Sequence, residues 1–336
     1  MGTWYEKGIF YHMYPLGLTG APKHNDQTEV TDRMKELEEW IPHMRSLGCN
    51  SLYIGPLFES STHGYDTRDY KLVDRRLGAN DGFRHFVKAC HEAGIRVVVD
   101  GVFNHTGREF FAFQDIQKNR ENSPYRDWYR GVNFGWGSPM GDSFGYEAWQ
   151  GHYELPCLNL WNPEVKQYLF DVIRFWIDEF DIDGIRLDCA NVLDFNFMKE
   201  MRAQTATMKP DFWLMGEVIH GEYSRWVNPE MLHSVTNYEL HKGLYSGHTT
   251  ITILRSPTPC AVWSRWAISF TPSWTTMTRT VWPASFVTRS TYILYTPCST
   301  PCPAFHPFIT AVNGVLEGRR TRESDDDAAS LHPHHR

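Results

Sequence analysis

The sequence lacks any apolar run approaching the roughly eighteen residues of a membrane-spanning helix, and it lacks a basic surplus. Lys and Arg number 33 against 40 Asp and Glu, a formal charge of −7. An anionic membrane surface and a nucleic-acid backbone are therefore excluded as principal partners, and a neutral ligand fits better. The seven cysteines show no tight paired spacing, so a disulfide framework or zinc knuckle is not expected and a reducing cytoplasm is the simpler home. The opening MGTWYEKGIFYHMYPLGL has polar breaks where a secretory leader needs an unbroken apolar stretch. Its Met-Gly start invites N-myristoylation, but Glu6 stands where that motif needs Ser or Thr. What is present is a 336-residue chain with 41% hydrophobic and 15% aromatic content, enough to bury one large core or two modest ones.

Composition changes abruptly along the chain. The first 248 residues hold 35 of the 40 acids and every lysine, whereas residues 249–316 contain no Asp or Glu. A Pro-rich linker would avoid bulky apolar side chains, yet Trp263, Trp266, Trp274 and Trp282 all fall in this stretch.

Before that break the pattern repeats helix and strand. Met34, Leu37, Ile41, Met44 and Leu47 have helical spacing, with Thr31 or Asp32 as cap and Gly48 as stop, and the strand SLYIGPLF follows. Asp81 caps a second helix on Phe83, Phe86, Val87 and Cys90. Gly94 stops it before the strand IRVVV, which ends at Asp100. Asn162 before Pro163 opens a third helix, leading into GIRL and then Asp188. A helical stretch at 197–203 precedes FWLMG, which ends at Glu217. Continuous apolar strands between amphipathic helices imply a parallel sheet covered on both faces. Carboxylates at successive strand ends favour a (β/α)8 TIM barrel of the α/β class over a doubly wound sheet. Residues 1–103 and 156–248 are expected to form the two parts of the barrel. The Gly- and aromatic-rich stretch 104–155, too long for an ordinary loop, reads as a small inserted domain after the third strand.

Asp188 and Glu217 at the ends of adjacent strands can face each other across one cleft. That is the arrangement with which a retaining glycosidase attacks an anomeric carbon and protonates the leaving oxygen. Arg186, two residues before Asp188 on the same side of its strand, is expected to keep Asp188 ionised. Glu217, between Met215 and Val218, is the better candidate for a raised pKa.

At these residues the chain resembles the α-amylase family of glycoside hydrolases. DGVFNH (100–105), GIRLDCAN (184–191) and LMGEVIH (214–220) look like three successive conserved regions of that family, and HGYDTRDY (63–70) and LPCLN (155–159) like two auxiliary ones. LPCLN is closest to the neopullulanase and cyclomaltodextrinase branch. The resemblance covers residues 8–248. It implies Asp188 as nucleophile, Glu217 as acid/base and Arg186 as positioner. It also implies Tyr65 stacked on the sugar, with Asp100, His105 and Asn191 beside it. Asn104 matches a position that binds calcium in some members; a structural Asn is the competing reading, and no cofactor is otherwise required. The implied substrate is an α-1,4-linked maltooligosaccharide or a cyclodextrin. A glucanotransferase on the same scaffold and a non-catalytic glycan-binding relative are the alternatives. Oligomeric state stays open.

The family also carries a third carboxylate in a segment like FVDNHD, which is missing here. If one base was lost near Thr249, each ancestral codon is the third base of one codon plus the first two of the next. Across PSWTTMT (272–278) the Trp274/Thr275 and Met277/Thr278 junctions must then both read GAC, and the others permit FVDNHD in register. CPAFHPFITA (302–311) likewise permits PGIPSIYYG. Residues 249–336 therefore read as a frameshifted tail, and the barrel as incomplete at its C-terminus. Resequencing the underlying DNA should reveal the missing base; an intact open frame across codon 249 would overturn this reading.

Overall fold

A computed structural model describes residues 3–238 of the chain. The tail read as frameshifted, the segment where the third acid was sought and the closing strands of a barrel lie outside these residues. After a 3-10 turn at Trp4–Lys7 come strand β1 (Phe10–Met13), helices α1 (Pro15–Leu18), α2 (Met34–Glu38) and α3 (Ile41–Ser46), and strand β2 (Ser51–Ile54). A two-stranded excursion, β3 (Phe58–Ser60) and β4 (Thr67–Val73), precedes α4 (Asn80–Glu92) and β5 (Arg96–Gly101). Helix α5 (Phe111–Asn119) and the pair β6 (Ala148–Trp149) and β7 (His152–Pro156) occupy the long connection to α6 (Pro163–Phe180). Then follow β8 (Gly184–Leu187), α7 (Phe195–Met208), β9 (Trp213–Gly216) and β10 (Ser234–Val235).

The main sheet is parallel throughout, in the order β1-β2-β5-β8-β9-β10. This order never reverses, whereas a doubly wound sheet must reverse at its switch point. The sheet also curls. In a flat sheet β1 and β9 would lie about 19 Å apart, yet Phe10 on β1 stacks on Trp213 of β9 with ring centroids 4.8 Å apart. Phe10, Tyr53, Val98, Trp213 and Met215 form a separate inner cluster, with Trp4 and Tyr5 packed against it. The residues of opposite parity, Tyr11, Met13, Leu52, Ile54, Val97, Val99, Ile185, Leu187 and Leu214, join the helices in the outer core. Strand alternation therefore divides a barrel interior from a helix-covered exterior. Phe110, Phe113, Ile116, Tyr129 and Phe144 from the long connection belong to that same outer core. No helix among the described residues is long and apolar enough to cross a membrane.

Local expectations hold where capping chemistry is explicit. The Asn162 side chain accepts from the Glu164 N–H at 2.8 Å, Asp194 caps α7 through the Phe197 N–H, and Gly48 and Gly94 end their helices at φ +76° and +73°. Three expectations are corrected. The single helix read from Met34 to Leu47 is two, because Pro42 lacks an N–H and its ring would strike the carbonyl four residues back, at Glu38, where α2 ends. SLYIGPLF is two strands in different sheets, divided at Pro56, which cannot donate to a ladder. Helix α4 starts one residue before Asp81, with Ala79 at the cap and no side-chain capping bond.

The strand end at Gly55 has a packing role. A Cβ there would lie 2.5 Å from the Cβ of Asp100, so only glycine lets β2 pass beside that carboxylate. Gly55→Ala should lose about 1–3 kcal/mol in urea unfolding. Gly82→Ala within α4, where the nearest neighbour is 3.6 Å away, should gain about 0.5–1 kcal/mol.

Candidate active site

Parallel register brings the acids together before any side chain is considered. Leu187 of β8 pairs with Gly216 of β9, so the next residues, Asp188 and Glu217, emerge side by side from neighbouring strands. Asp100 pairs with Arg186 across β5 and β8. All four point into the barrel mouth, and all four are buried.

One guanidinium joins them. Arg186 Nη1 donates to Asp100 Oδ1 at 2.7 Å and to Asp188 Oδ1 at 2.9 Å, while Nη2 lies 2.9 Å from Glu217 Oε2. A shared planar fork keeps the bonded oxygens of Asp188 and Glu217 within about 8 Å of each other. Glu217 is fixed by two further donors: the Cys189 N–H reaches Oε2 at 3.0 Å, and the Tyr238 hydroxyl reaches Oε1 at 2.7 Å. Tyr53 donates to Asp100 Oδ2 at 2.8 Å, and the Cys189 thiol donates to Asp188 Oδ2 at 3.2 Å.

Three buried carboxylates compete for that one cation. Burial pushes Asp188 up to about 7; Arg186 pulls it down, but Glu217 and Asp100 add to the upward push. The expectation that Arg186 simply keeps Asp188 ionised therefore needs correction. The cation is shared three ways, and desolvation outweighs its share. Asp100 is raised for the same first cause, against Arg186 and Tyr53.

Other expected residues take distinct places. Tyr65 is half-buried, its phenol raised by burial and by the field of Asp100, which sets it at the cluster. His105 is buried, and desolvation, then His63, lowers it to about 3, so the imidazole is neutral. Its Nδ1 meets the Asn104 amide at 3.1 Å, whereas its Nε2 has no hydrogen-bond partner. Asn191 lies exposed on the rim, its backbone N–H donating to the Glu217 carbonyl at 3.3 Å. The Asn104 amide nitrogen faces His105 Nδ1 and the Cys157 thiol, 4.0 Å away. Calcium takes six to eight oxygen ligands, and the atom Asn104 would offer one is its amide oxygen rather than this nitrogen. Sequence reading missed Tyr53, Cys189 and Tyr238. Strand parity could have found Tyr53, which shares the inward face of β2, and the thiol of Cys189 adjoins Asp188 in the chain; the bonds of Cys189 N–H and Tyr238 to Glu217 cross 28 and 21 residues with no local signal.

Two carboxylates held side by side at the mouth of a parallel barrel, with a neutral imidazole and tyrosines around them, are the arrangement of a glycoside hydrolase. Residues 24–253 match the catalytic domain of alpha amylase, and the chain belongs to the α-amylase family. It is 36% identical over 250 residues to a cyclomaltodextrinase of Thermoanaerobacter pseudethanolicus, covering 70% of this chain and 43% of that protein. It is 39% identical over 250 residues to an intracellular maltogenic amylase of Bacillus subtilis, covering 70% and 42%. Among solved structures, the cyclic alpha-maltosyl-(1→6)-maltose hydrolase of Arthrobacter globiformis in complex with maltose aligns with TM-score 0.70 at 27% identity, over 80% of this chain and 64% of that one. The chain spans less than half the length of these curated relatives.

The raised Asp188 has a thermodynamic consequence. Its folded value, about 7, lies above the ordinary carboxyl value of 3.8, so between those pH values the folded state binds the extra proton. This group's contribution to stability therefore falls as pH rises from about 4 to about 7. Asp188→Asn should melt a few degrees higher than the parent chain at pH 8, and the difference should vanish below pH 4. Melting curves across that range test it.

Proposed function

We propose that the parent protein is a retaining α-glucan hydrolase acting on α-1,4-linked maltooligosaccharides or cyclodextrins. The observation that carries this reading is the Arg186 bridge, which sets Asp188 and Glu217 side by side in one mouth. The substrate class rests on relatives called cyclomaltodextrinase, maltogenic amylase and neopullulanase.

In the first step Glu217 gives its proton to the glycosidic oxygen as that bond breaks, and an Asp188 oxygen bonds to the anomeric carbon. In the second, Glu217 takes a proton from water, whose oxygen displaces Asp188 and leaves the sugar with its original configuration. Arg186 orients both acids. Asp100 and His105 Nε2 bind hydroxyls of the sugar at the cleavage point, Tyr65 supplies a stacking face, and Asn191 meets the chain at the rim. No step runs through a metal. A glucanotransferase would use a sugar hydroxyl in place of water in the second step. A non-catalytic glycan-binding relative is disfavoured because the acid pair and its positioning arginine are all kept.

The chain as written should turn over poorly, because the carboxylate expected from FVDNHD is absent from its reading frame. The family match ends at residue 253, close to the point where the frame was inferred to break, and this supports the frameshift reading. A cytoplasmic location accords with relatives called intracellular maltogenic amylase.

NMR of maltotriose or α-cyclodextrin hydrolysis by the frame-restored enzyme should show the α-anomer appearing first, with the chain as given much slower. Glu217→Gln in the restored enzyme should cut kcat about 10²–10⁴-fold. Initial release of the β-anomer, or unchanged kcat in that variant, would refute the mechanism.

A further inference from the structure

The same mouth holds a donor set that sugar chemistry does not require. One ligand atom each from His105, Asp188 and Cys189 lies within 4.8 Å of the other two, and all three residues are buried. The Cys189 sulfur and an Asp188 oxygen are already 3.2 Å apart. Adjacent ligands on a tetrahedral zinc ion sit about 3.3–3.8 Å apart, so only the imidazole has to close in, by about 1 Å. The His105 Nε2 is buried, its residue 2% exposed, and has no hydrogen-bond partner. It is a second and independent sign of a ligand position.

We infer that His105, Asp188 and Cys189 form a binding site for a thiophilic divalent cation of the zinc type, which blocks the nucleophile when occupied. The inference rests on the glycosidase reading only for its inhibitory consequence; the donor set stands apart from it. Nitrogen, sulfur and carboxylate donors together select zinc over calcium or magnesium, which prefer oxygen alone. Charge favours the cation as well, since Asp100, Asp188 and Glu217 share a single guanidinium. A site arranged to hold a sugar carrying developing positive charge is equally suited to a dication.

Binding needs two local changes. The Cys189 thiol gives its proton to solvent and ligates as thiolate. The Asn104 amide turns so that its oxygen accepts from His105 Nδ1–H, which leaves the Nε2 lone pair for the metal, the usual outer-shell support of a metal-bound histidine. With the sugar bound, the opposite tautomer serves, Nε2–H donating to a hydroxyl. Sugar and metal thus compete for the same ring nitrogen. Cys189 is the residue that makes the site thiophilic, because neither Asp188 nor His105 alone discriminates among divalent ions.

The test uses Co²⁺ and Zn²⁺ with the full chain and its frame-restored form. Co²⁺ should produce a near-ultraviolet thiolate-to-cobalt band with one equivalent bound, lost on adding Zn²⁺, on adding excess α-cyclodextrin, or in Cys189→Ala, which removes the sulfur without β-branching at a left-handed position. In hydrolysis assays Zn²⁺ should inhibit competitively and reversibly on adding EDTA. Each protein is normalised to its own metal-free rate, and Cys189→Ala should need on the order of tenfold more Zn²⁺. Cys189→Ser, which keeps a small polar side chain, should likewise lose the cobalt band while retaining its circular dichroism. A folded parent chain giving no thiolate band, or inhibition equal in parent and alanine variant, overturns the inference. If the frame-restored form proves inactive, the cobalt spectrum still decides the metal site, and only the glycosidase reading fails.

Discussion

The Arg186 guanidinium is the interaction on which the rest of this site depends. It is a single buried cation that touches Asp100, Asp188 and Glu217 at once. Three carboxylates in a desolvated mouth would repel one another strongly, and burial of each alone is unfavourable. Arg186 makes the cluster tolerable without neutralising it. In the proposed reaction this residual negative excess is useful, because a sugar neutral in the ground state carries positive charge only near the transition state, when that excess becomes attractive. A lysine could not substitute, since an ammonium lacks the planar fork that reaches two sides of the mouth at fixed angles.

The barrel supplies this constellation through the same alternation that builds its core. Inward parity gives Phe10, Tyr53, Val98 and Trp213 toward the bottom and middle of the interior, and continues upward to Asp100, Arg186, Asp188 and Glu217. Outward parity gives the aliphatic side chains that the helices cover. A one-residue slip of β8 against β9 would turn Arg186 and Asp188 toward the helices and put Ile185 and Leu187 in the mouth. The large outward core, with Trp176 stacked on Phe58 at 4.2 Å, therefore fixes the position of the acids as firmly as their own hydrogen bonds do.

Much of this was legible because it is periodic or local. The strand ends at Asp100, Asp188 and Glu217, the Asn162–Pro163 helix start and the glycine stops all write their cause into a few neighbouring residues. The errors came where a local cause was overlooked or lay elsewhere in the chain. Pro42 sits inside an otherwise helical apolar pattern, and its missing N–H outweighs the periodicity of Met34 to Leu47. Tyr53 reaches Asp100 over a separation of 47 residues, and Tyr238 reaches Glu217 over 21. Strand parity puts Tyr53 on the inward face, but nothing near Tyr238 in sequence announces its partner. The pull of Arg186 on Asp188 is overstated by the sequence alone for a related reason: the adjacent arginine is visible, but its division among three acids exists only in three dimensions.

Backbone strain at Cys189 ties these levels together. This residue follows the proposed nucleophile and takes φ 38° and ψ 46°, a left-handed conformation that costs a non-glycine residue about 1–3 kcal/mol. The turn aims the Cys189 N–H back at Glu217 Oε2 and its thiol at Asp188 Oδ2. An extended residue there would carry the chain onward along the strand direction and leave both acids without these donors. Close packing holds the turn in place, since a Cβ on Gly216 would come within 2.8 Å of the Ala190 Cβ. The small residues Gly216 and Ala190 let this turn pack against β9, which keeps Asp188 and Glu217 side by side. The strain is thus placed at the residue whose backbone N–H serves Glu217 and whose thiol serves Asp188, and the rigid barrel beneath it absorbs the cost.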